Sequence, residues 1–430
     1  AGRLKAAGDR LYSAACGGIG FESGENSLSI MESRRRVLSG MRPTGKLHLG
    51  HYGNVRTWAR LQQEYECYFF VADWHALTTH YESEMDLEQN ALDMVIDWLA
   101  AGVNPSLATL FVQSQVPEHA ELHLLLSMIT PLGWLERVPS YKDQQEQLKE
   151  QDLATYGFLG YPLLQSADIL AYRAGVVPVG ADQVAHVELT REVARRFNHL
   201  YGGEQGFREN AEAAAARMGK KLAKLYVELR RAYQEQGDGD ALERARILVR
   251  EQPNLSLADR ERLMGYLEGD AKVILPEPQA LLTPIPKMPG LDGRKMSKSY
   301  GNTLALRDPP ELIEKKILTM QTDPARVRRS DPGDPDKCPV WQFHQIYSDG
   351  VQQAWVREGC SSAGIGCVDC KRPIIDSIQG ELRPLQLKAS EYEQDLPLVR
   401  NILKEGNARA REEARATLDE VREVMGLRYR

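Results

Sequence analysis

The chain has 430 residues, of which 42% are apolar and 27% charged, with a formal net charge of −6. That length supports two or three domains, each with its own core, and no apolar run approaches the roughly 20 residues of a membrane span. The negative balance excludes nucleic-acid binding by overall charge, so RNA contact needs local basic patches such as Arg326-Val327-Arg328-Arg329 or Lys371-Arg372. Six cysteines in so long a chain do not make a secreted disulfide scaffold.

Residues 1–30 are rich in Gly, Ala and Ser, lack periodicity and lack the apolar stretch of a secretion signal. They are expected to be a disordered N-terminal extension, with the folded part starting at Met31. From 31 to about 201, short β-like runs alternate with amphipathic helices. Cys67–Ala72 and Thr109–Val112 read as buried parallel strands, while Leu87–Ala101 and His119–Ile129 carry apolar residues at helical spacing. Such alternation predicts an α/β fold, a doubly wound parallel sheet whose ligands lie beyond the carboxyl ends of its strands.

Residues 40–54 are the first candidate site. Val37 and Leu38 read as the end of a strand, and Val55, Trp58 and Leu61 begin a helical pattern. A strand, a Gly-rich turn and a helix start aim backbone N–H groups and the positive end of a helix dipole at an anion. His48 and His51, three apart, can turn toward the same ligand, and Gly50 lets it approach the backbone. Asp73-Trp74-His75 occupies a second strand end; Trp74 suits core packing, and His75 suits a ligand. Two further strand-end segments are expected at Tyr161–Leu170 and Val177–Gln183. The first sets Asp168 in an apolar run, where it must find a donor, such as an indole N–H or a nearby Arg, or cap a helix. The second carries polar side chains suited to a ribose hydroxyl and an ammonium group, or else Asp182 caps a helix starting near Val184.

Residues 202–275 break the alternation with charged helical sequence, expected as helices over 212–224, 228–236, 241–251 and 257–267 with solvated faces. A Pro-rich stretch, Pro284–Gly290, then leads into Gly293-Arg294-Lys295-Met296-Ser297-Lys298-Ser299-Tyr300-Gly301-Asn302. Two lysines three apart on a small polar loop form a cationic clamp that can meet the charge developing as pyrophosphate leaves. Beyond it the sequence is mostly helical, ending in a long amphipathic helix over 397–428. Within that region, Cys338, Cys360, Cys367 and Cys370 are spaced C-x21-C-x6-C-x2-C. Four thiolates at such spacing can ligate zinc or an iron–sulfur cluster.

His48-Leu49-Gly50-His51 and Lys295-Met296-Ser297-Lys298-Ser299 match, in order, the two ATP motifs of class I aminoacyl-tRNA synthetases. Over residues 36–200 and 280–430 the chain resembles the bacterial tryptophanyl-tRNA synthetases. The resemblance implies a Rossmann-type catalytic domain, a C-terminal all-helical domain that binds the anticodon, a cytoplasmic homodimer, and ligation of tryptophan to its tRNA with ATP and Mg²⁺. The implied domains are 31–201 and 276–303 for catalysis, 202–275 as a helical insertion and 304–430 for the anticodon.

By the same resemblance, Arg42, Pro43, Thr44, Gly50 and His51 contact ATP, with Gly180, Ala181, Asp182, Lys295, Met296, Ser297, Lys298 and Ser299. His48, His51, Lys295 and Lys298 carry the catalysis. Asp168 accepts the indole N–H, Tyr161 and Gln183 hold the amino group, and His75 lies near the carboxylate. The sequence departs from the family at Arg42 and Ala181, where Gln and Glu are common. A subset of the family carries a 4Fe-4S cluster on a motif similar to the four cysteines here, beside the anticodon site, which favours the cluster over zinc and sets Lys371 and Arg372 toward RNA. Three rivals remain. Tyrosyl enzymes share the fold. Small nucleotidyltransferases such as pantothenate synthetase use a similar histidine turn but need no cysteine domain. A silent RNA-binding relative would need neither ATP motif.

Overall fold

The computed structural model describes residues 35–82, 84–138, 155–203, 206–236, 238–269, 272–282 and 288–429. The expected extension over 1–30 and residues 284–287 of the Pro-rich stretch lie outside them. In chain order the elements are β1 (Arg36–Met41), α1 (Leu49–Leu61), β2 (Glu66–Val71), α2 (Asp73–His80), α3 (Leu87–Ala100) and β3 (Ala108–Val112). There follow α4 (Glu118–Ser127), α5 (Leu132–Glu136), α6 (Tyr156–Ala171), β4 (Val176–Val179) and α7 (Val184–Tyr201). Next come α8 (Phe207–Arg217), α9 (Lys220–Gln236), α10 (Gly239–Arg250), α11 (Leu257–Glu268) and β5 (Gln279–Leu282). The chain ends with α12 (Pro310–Leu318), α13 (Pro339–Tyr347), α14 (Gly350–Ser361), α15 (Cys367–Gln394) and α16 (Leu396–Val424).

Among the described residues the strands form one sheet in the order β3-β2-β1-β4-β5. β2 and β3 run parallel in register from Cys67 opposite Ala108 to Val71 opposite Val112, and β1 meets β4 in parallel at Val37 and Val176. β2 and β3 are buried along nearly their whole length, as strands covered on both faces must be, which is why they read as continuous apolar runs.

The chain divides into two compact units. The first holds residues 39–114 and 282–407. Its core is aromatic: Trp58 of α1 stacks on Phe69 of β2 with centroids 4.4 Å apart and meets Trp98 of α3 edge-on at 5.1 Å. α15 packs against α3 and α12, and Arg56 of α1 pairs with Glu381 of α15 at 2.9 Å.

The second unit holds residues 35–38, 115–281 and 408–430. α6 lies against both α4 and α7, which corrects the expected strand-end segment at 161–170: it lies within a helix. With neighbours on two sides, α6 buries Phe158, Leu163, Ala167, Ile169 and Leu170, so its apolar residues show no one-sided spacing. Thr155 caps its start by accepting from Phe158 N at 3.2 Å. The helices expected over 202–275 are present, but the predicted 212–224 helix is two. Arg217 ends α8 and Lys220 begins α9, with Gly219 between them at φ 88°. Nor are their faces all solvated: Phe207, Ala211, Tyr226, Leu229, Val249, Leu263 and Leu267 form a core within this module.

Candidate functional site

The histidine turn lies in the first unit at the N-terminus of α1. His48 is the N-cap; its Nδ1 accepts from Gly50 N at 3.1 Å, while His48 N donates to His51 Nδ1 at 3.3 Å. Two imidazoles thus perform the reciprocal capping usually done by Ser and Glu. Because both Nδ1 atoms accept, each neutral ring carries its proton on Nε2 and has an N–H to offer a ligand. Burial, then the Lys298 charge, lowers the His48 pKa to about 4. Burial, then His48 and the two loop lysines, lowers that of His51 to about 3. The two ring centroids lie 3.9 Å apart, with the planes tilted by 43°. Gly50 permits this, since a Cβ there would come 2.9 Å from His48 Cε1.

The lysine loop, distant in sequence, belongs to the same unit. Lys298 Nζ donates to the Gly45 carbonyl at 2.7 Å. The strand-like chain beyond the loop pairs with the turn itself: Leu49 N donates to Leu304 O and Leu306 N to Leu47 O, each at 3.0 Å. The loop is braced from within by Asn302, whose Oδ1 accepts from Ser297 N at 2.8 Å and whose Nδ2 donates to Asp292 at 2.7 Å and to Lys295 O at 3.2 Å. Met296 is buried, and its N donates to Met288 O at 3.0 Å. Desolvation lowers the Lys298 pKa to about 8, with Asp97 opposing. Asp97, buried under the turn, accepts from Leu47 N at 3.4 Å and pairs with Arg307 at 2.8 Å. Burial outweighs Arg307 and raises the Asp97 pKa to about 6. Arg42, exposed, and Pro43, buried, precede the turn, where Thr44 N donates to Arg42 O at 2.9 Å. His75 is buried in the first turn of α2.

The remaining site residues lie in the second unit. Gly180, Ala181 and Asp182 are exposed on the turn after β4. Asp182 does not cap α7: that position belongs to Gln183, with no side-chain cap. Gln183 Nε2 instead donates to Asp182 Oδ2 at 3.3 Å. Tyr161 Oη lies 3.4 Å from His186 Nε2, and His186 Nδ1 lies 2.6 Å from Gln165 Oε1. Asp168 is fully buried, with Oδ1 2.6 Å from His119 Nδ1. His119 and His186 were not singled out from sequence. Each sits on the buried face of an amphipathic helix, and a polar ring there must have partners.

Cys338 stands at the start of α13, Cys360 at the end of α14, and Cys367 and Cys370 in the first turn of α15, near enough for the other three to influence the ionisation of Cys370. They are free thiols. Burial and then the three other cysteines push Cys370 up to about 12. Arg326 Nη1 donates to Cys360 Sγ at 3.7 Å, and His344 Nε2 lies 3.3 Å from Cys370 Sγ. Among the described residues no three His, Cys, Asp or Glu side chains are disposed as a set that could hold a metal ion. Two expected basic contacts are corrected. Lys371 is buried and donates to Leu318 O and Met320 O, each at 2.7 Å. Arg326 is buried and donates to Ile365 O at 2.6 Å. A buried cation shut off from water must donate to interior acceptors, so both serve the interior and neither faces RNA. Arg372 is exposed.

No helix among the described residues is long and apolar enough to cross a membrane. A family model described as "tRNA synthetases class I (W and Y)" matches residues 31–222 and 256–379. The chain is 65% identical over 395 residues to the tryptophan–tRNA ligase of Ralstonia nicotianae, covering 92% of this chain and 99% of that one. It is 43% identical over 397 residues to the tryptophan–tRNA ligase of Thermotoga maritima, covering 92% and 100%. Among solved structures, tryptophanyl-tRNA synthetase from Campylobacter jejuni, complexed with ADP and tryptophan, superposes with a TM-score of 0.67 at 26% identity over 91% of this chain and 99% of that one.

Proposed function

The chain belongs to the class I tRNA synthetase family of the tryptophan and tyrosine enzymes, and from that premise we propose that it is a tryptophan–tRNA ligase. It activates L-tryptophan with ATP to tryptophanyl-adenylate and pyrophosphate, then transfers tryptophan to its tRNA. The choice of tryptophan over tyrosine is supported by the 65% identity to a tryptophan–tRNA ligase over most of the chain.

The observation that carries the adenylation chemistry is the Lys298 ammonium seated on the histidine turn. In the first step the tryptophan carboxylate attacks the α-phosphorus of ATP in line with the departing pyrophosphate. Such a reaction needs positioning and charge stabilisation more than a protein nucleophile. His48 and His51 present Nε2–H donors at a helix N-terminus. They hold phosphate oxygens without adding a cation that would overbind the ground state. Lys295 and Lys298 meet the charge that grows on the pyrophosphate, with Mg²⁺ carried on the nucleotide. Arg42, Pro43, Thr44, Gly50, Met296, Ser297 and Ser299 complete the nucleotide contacts, together with Gly180, Ala181 and Asp182. Asp168 takes the indole N–H, Tyr161 and Gln183 the amino group, and His75 the carboxylate.

In this reading residues 31–201 and 276–303 form the catalytic part, 202–275 is a helical insertion, and 304–430 binds the anticodon of a tRNA. The enzyme works as a cytoplasmic homodimer. Cys338, Cys360, Cys367 and Cys370 hold a 4Fe-4S cluster, with zinc the alternative. The all-sulfur donor set is of the kind such a centre uses; burial and the neighbouring cysteines hold the Cys370 proton on in the absence of metal, so binding would have to release it. Bound there, the cluster would fix the loops around α13–α15 so that exposed Arg372 reaches the anticodon.

Amino-acid-dependent ATP–pyrophosphate exchange tests the whole assignment. Tryptophan alone of the twenty amino acids should support exchange at low concentration. Preference for tyrosine, or no exchange with any amino acid, would overturn it.

A further inference from the structure

Three fully buried side chains in the second unit form a chain that the adenylation chemistry leaves unexplained. His119 Nδ1 lies 2.6 Å from Asp168 Oδ1, and His119 Nε2 lies 2.7 Å from Tyr172 Oη. Each residue is 0% exposed. His119 comes from α4. Asp168 comes from α6, and Tyr172, four residues later on the same face, caps the end of that helix.

The bonding order follows from donor counts. An ionised carboxylate can only accept, so the proton of a neutral imidazole sits on Nδ1. Nε2 is then an acceptor, and the Tyr172 O–H is the donor it needs. The carboxylate thus fixes the tautomer, and the Tyr172 O–H satisfies the Nε2 lone pair that this tautomer leaves, which holds the ring in line with Asp168. A carboxylate this deep is costly unless it is hydrogen-bonded, and loss of its donor would leave it free to turn away from its oriented position. A carboxylate out of line with the indole N–H discriminates poorly between a ring with an N–H and a ring without one.

We propose that His119 is a positioning residue that determines specificity: held in place by Tyr172 at its Nε2, it donates from Nδ1 and keeps Asp168 an oriented acceptor for the indole N–H of the amino acid. The inference rests on the reading of Asp168 as that acceptor. His119 touches no substrate and acts through the carboxylate.

The test compares pyrophosphate exchange with tryptophan and with its benzothienyl analogue, which has sulfur in place of the indole N–H. The ratio of the two kcat/KM values is the readout, and a merely structural role would lower both values together. His119→Leu should reduce the ratio by about tenfold or more, the size expected for a hydrogen bond to a charged group, with the KM for ATP unchanged. His119→Asn, whose amide N–H can occupy the place of Nδ1–H, should restore most of it. Tyr172→Phe should reduce it to a lesser extent and carries the test if His119→Leu fails to fold. An unchanged ratio in His119→Leu, or no recovery in His119→Asn, overturns the proposal. Asp168→Asn separates the two layers. If it lowers the ratio while the His119 and Tyr172 variants do not, the relay alone is wrong. If it too leaves the ratio unchanged, Asp168 is not the indole acceptor.

Discussion

The ammonium of Lys298 donates to the carbonyl oxygen of Gly45 at 2.7 Å, although 253 positions separate the two residues. In the proposed reaction, a triphosphate held by the histidine turn would have its leaving group beside this partly desolvated positive charge. Replacing Lys298 by Ala should therefore lower the exchange rate by about 10²–10³, the range for loss of one preorganised stabilising group. The KM for tryptophan should stay within a factor of a few. Exchange at the parental rate would remove the basis for the mechanism.

Protonation of the same groups sets the pH dependence. The His48 and His51 pKa values lie at about 4 and about 3, so both rings stay neutral throughout the physiological range. Lys298, at about 8, loses its proton as pH rises through that value. In the free enzyme kcat/KM for ATP should then be flat between pH 5 and 7 and fall on the basic side near pH 8. Lys298→Arg should move that basic limb upward. An acidic limb near 6.5 that disappears in His51→Gln would contradict the neutral-donor role.

Asp97 gives a stability prediction with a definite sign. Its pKa is raised from 3.8 to about 6, so between those values the folded state binds the proton more tightly than the unfolded chain does. Stability from this group is present at low pH and is lost as pH rises through about 6. Relative to Asp97→Asn, which cannot titrate, the parent should lose stability between pH 4 and 6. Urea melts across that range measure the difference, and a gap that is constant or widens in the other direction would refute the assignment.

Two glycines on long helices should respond oppositely to alanine. A Cβ on Gly406 of α16 would run into the carbonyl oxygen of Leu110, a backbone atom that cannot turn aside. Gly406→Ala should cost at least about 3 kcal/mol, the upper end for forced overpacking. Gly380, inside α15, has nothing within 4 Å of that position. Gly380→Ala should stabilise by about 0.5–1 kcal/mol through helix propensity. Thermal melts of the two variants report both.

Metal content tests the cysteine tetrad. Protein purified without oxygen should be brown and contain iron and sulfide in equal amounts. Cys370→Ser should lose both, with aminoacylation of tRNA falling more than tryptophan-dependent exchange, because the tetrad lies in the region assigned to the anticodon. Colourless protein containing zinc would establish the alternative.

What the sequence determined by itself are the features that repeat or cluster over short distances. These are the alternation of apolar runs and helical spacing that makes the α/β sheet, the histidine turn, the lysine loop and the cysteine spacing. Each is a local pattern, set by which backbone geometry a few adjacent residues can adopt or by which chemistry they bring together. α6 escaped this reading because a helix packed on two sides hides its periodicity. Partnership was decided only by the tertiary structure. Lys371 and Arg326 look like surface cations in the sequence, yet each spends its donors on interior carbonyls. His119 looks like one polar residue on an apolar face, yet it joins Asp168 to Tyr172. Burial makes an unpaired polar group costly, but it does not specify the partner. That depends on which helix the fold lays alongside.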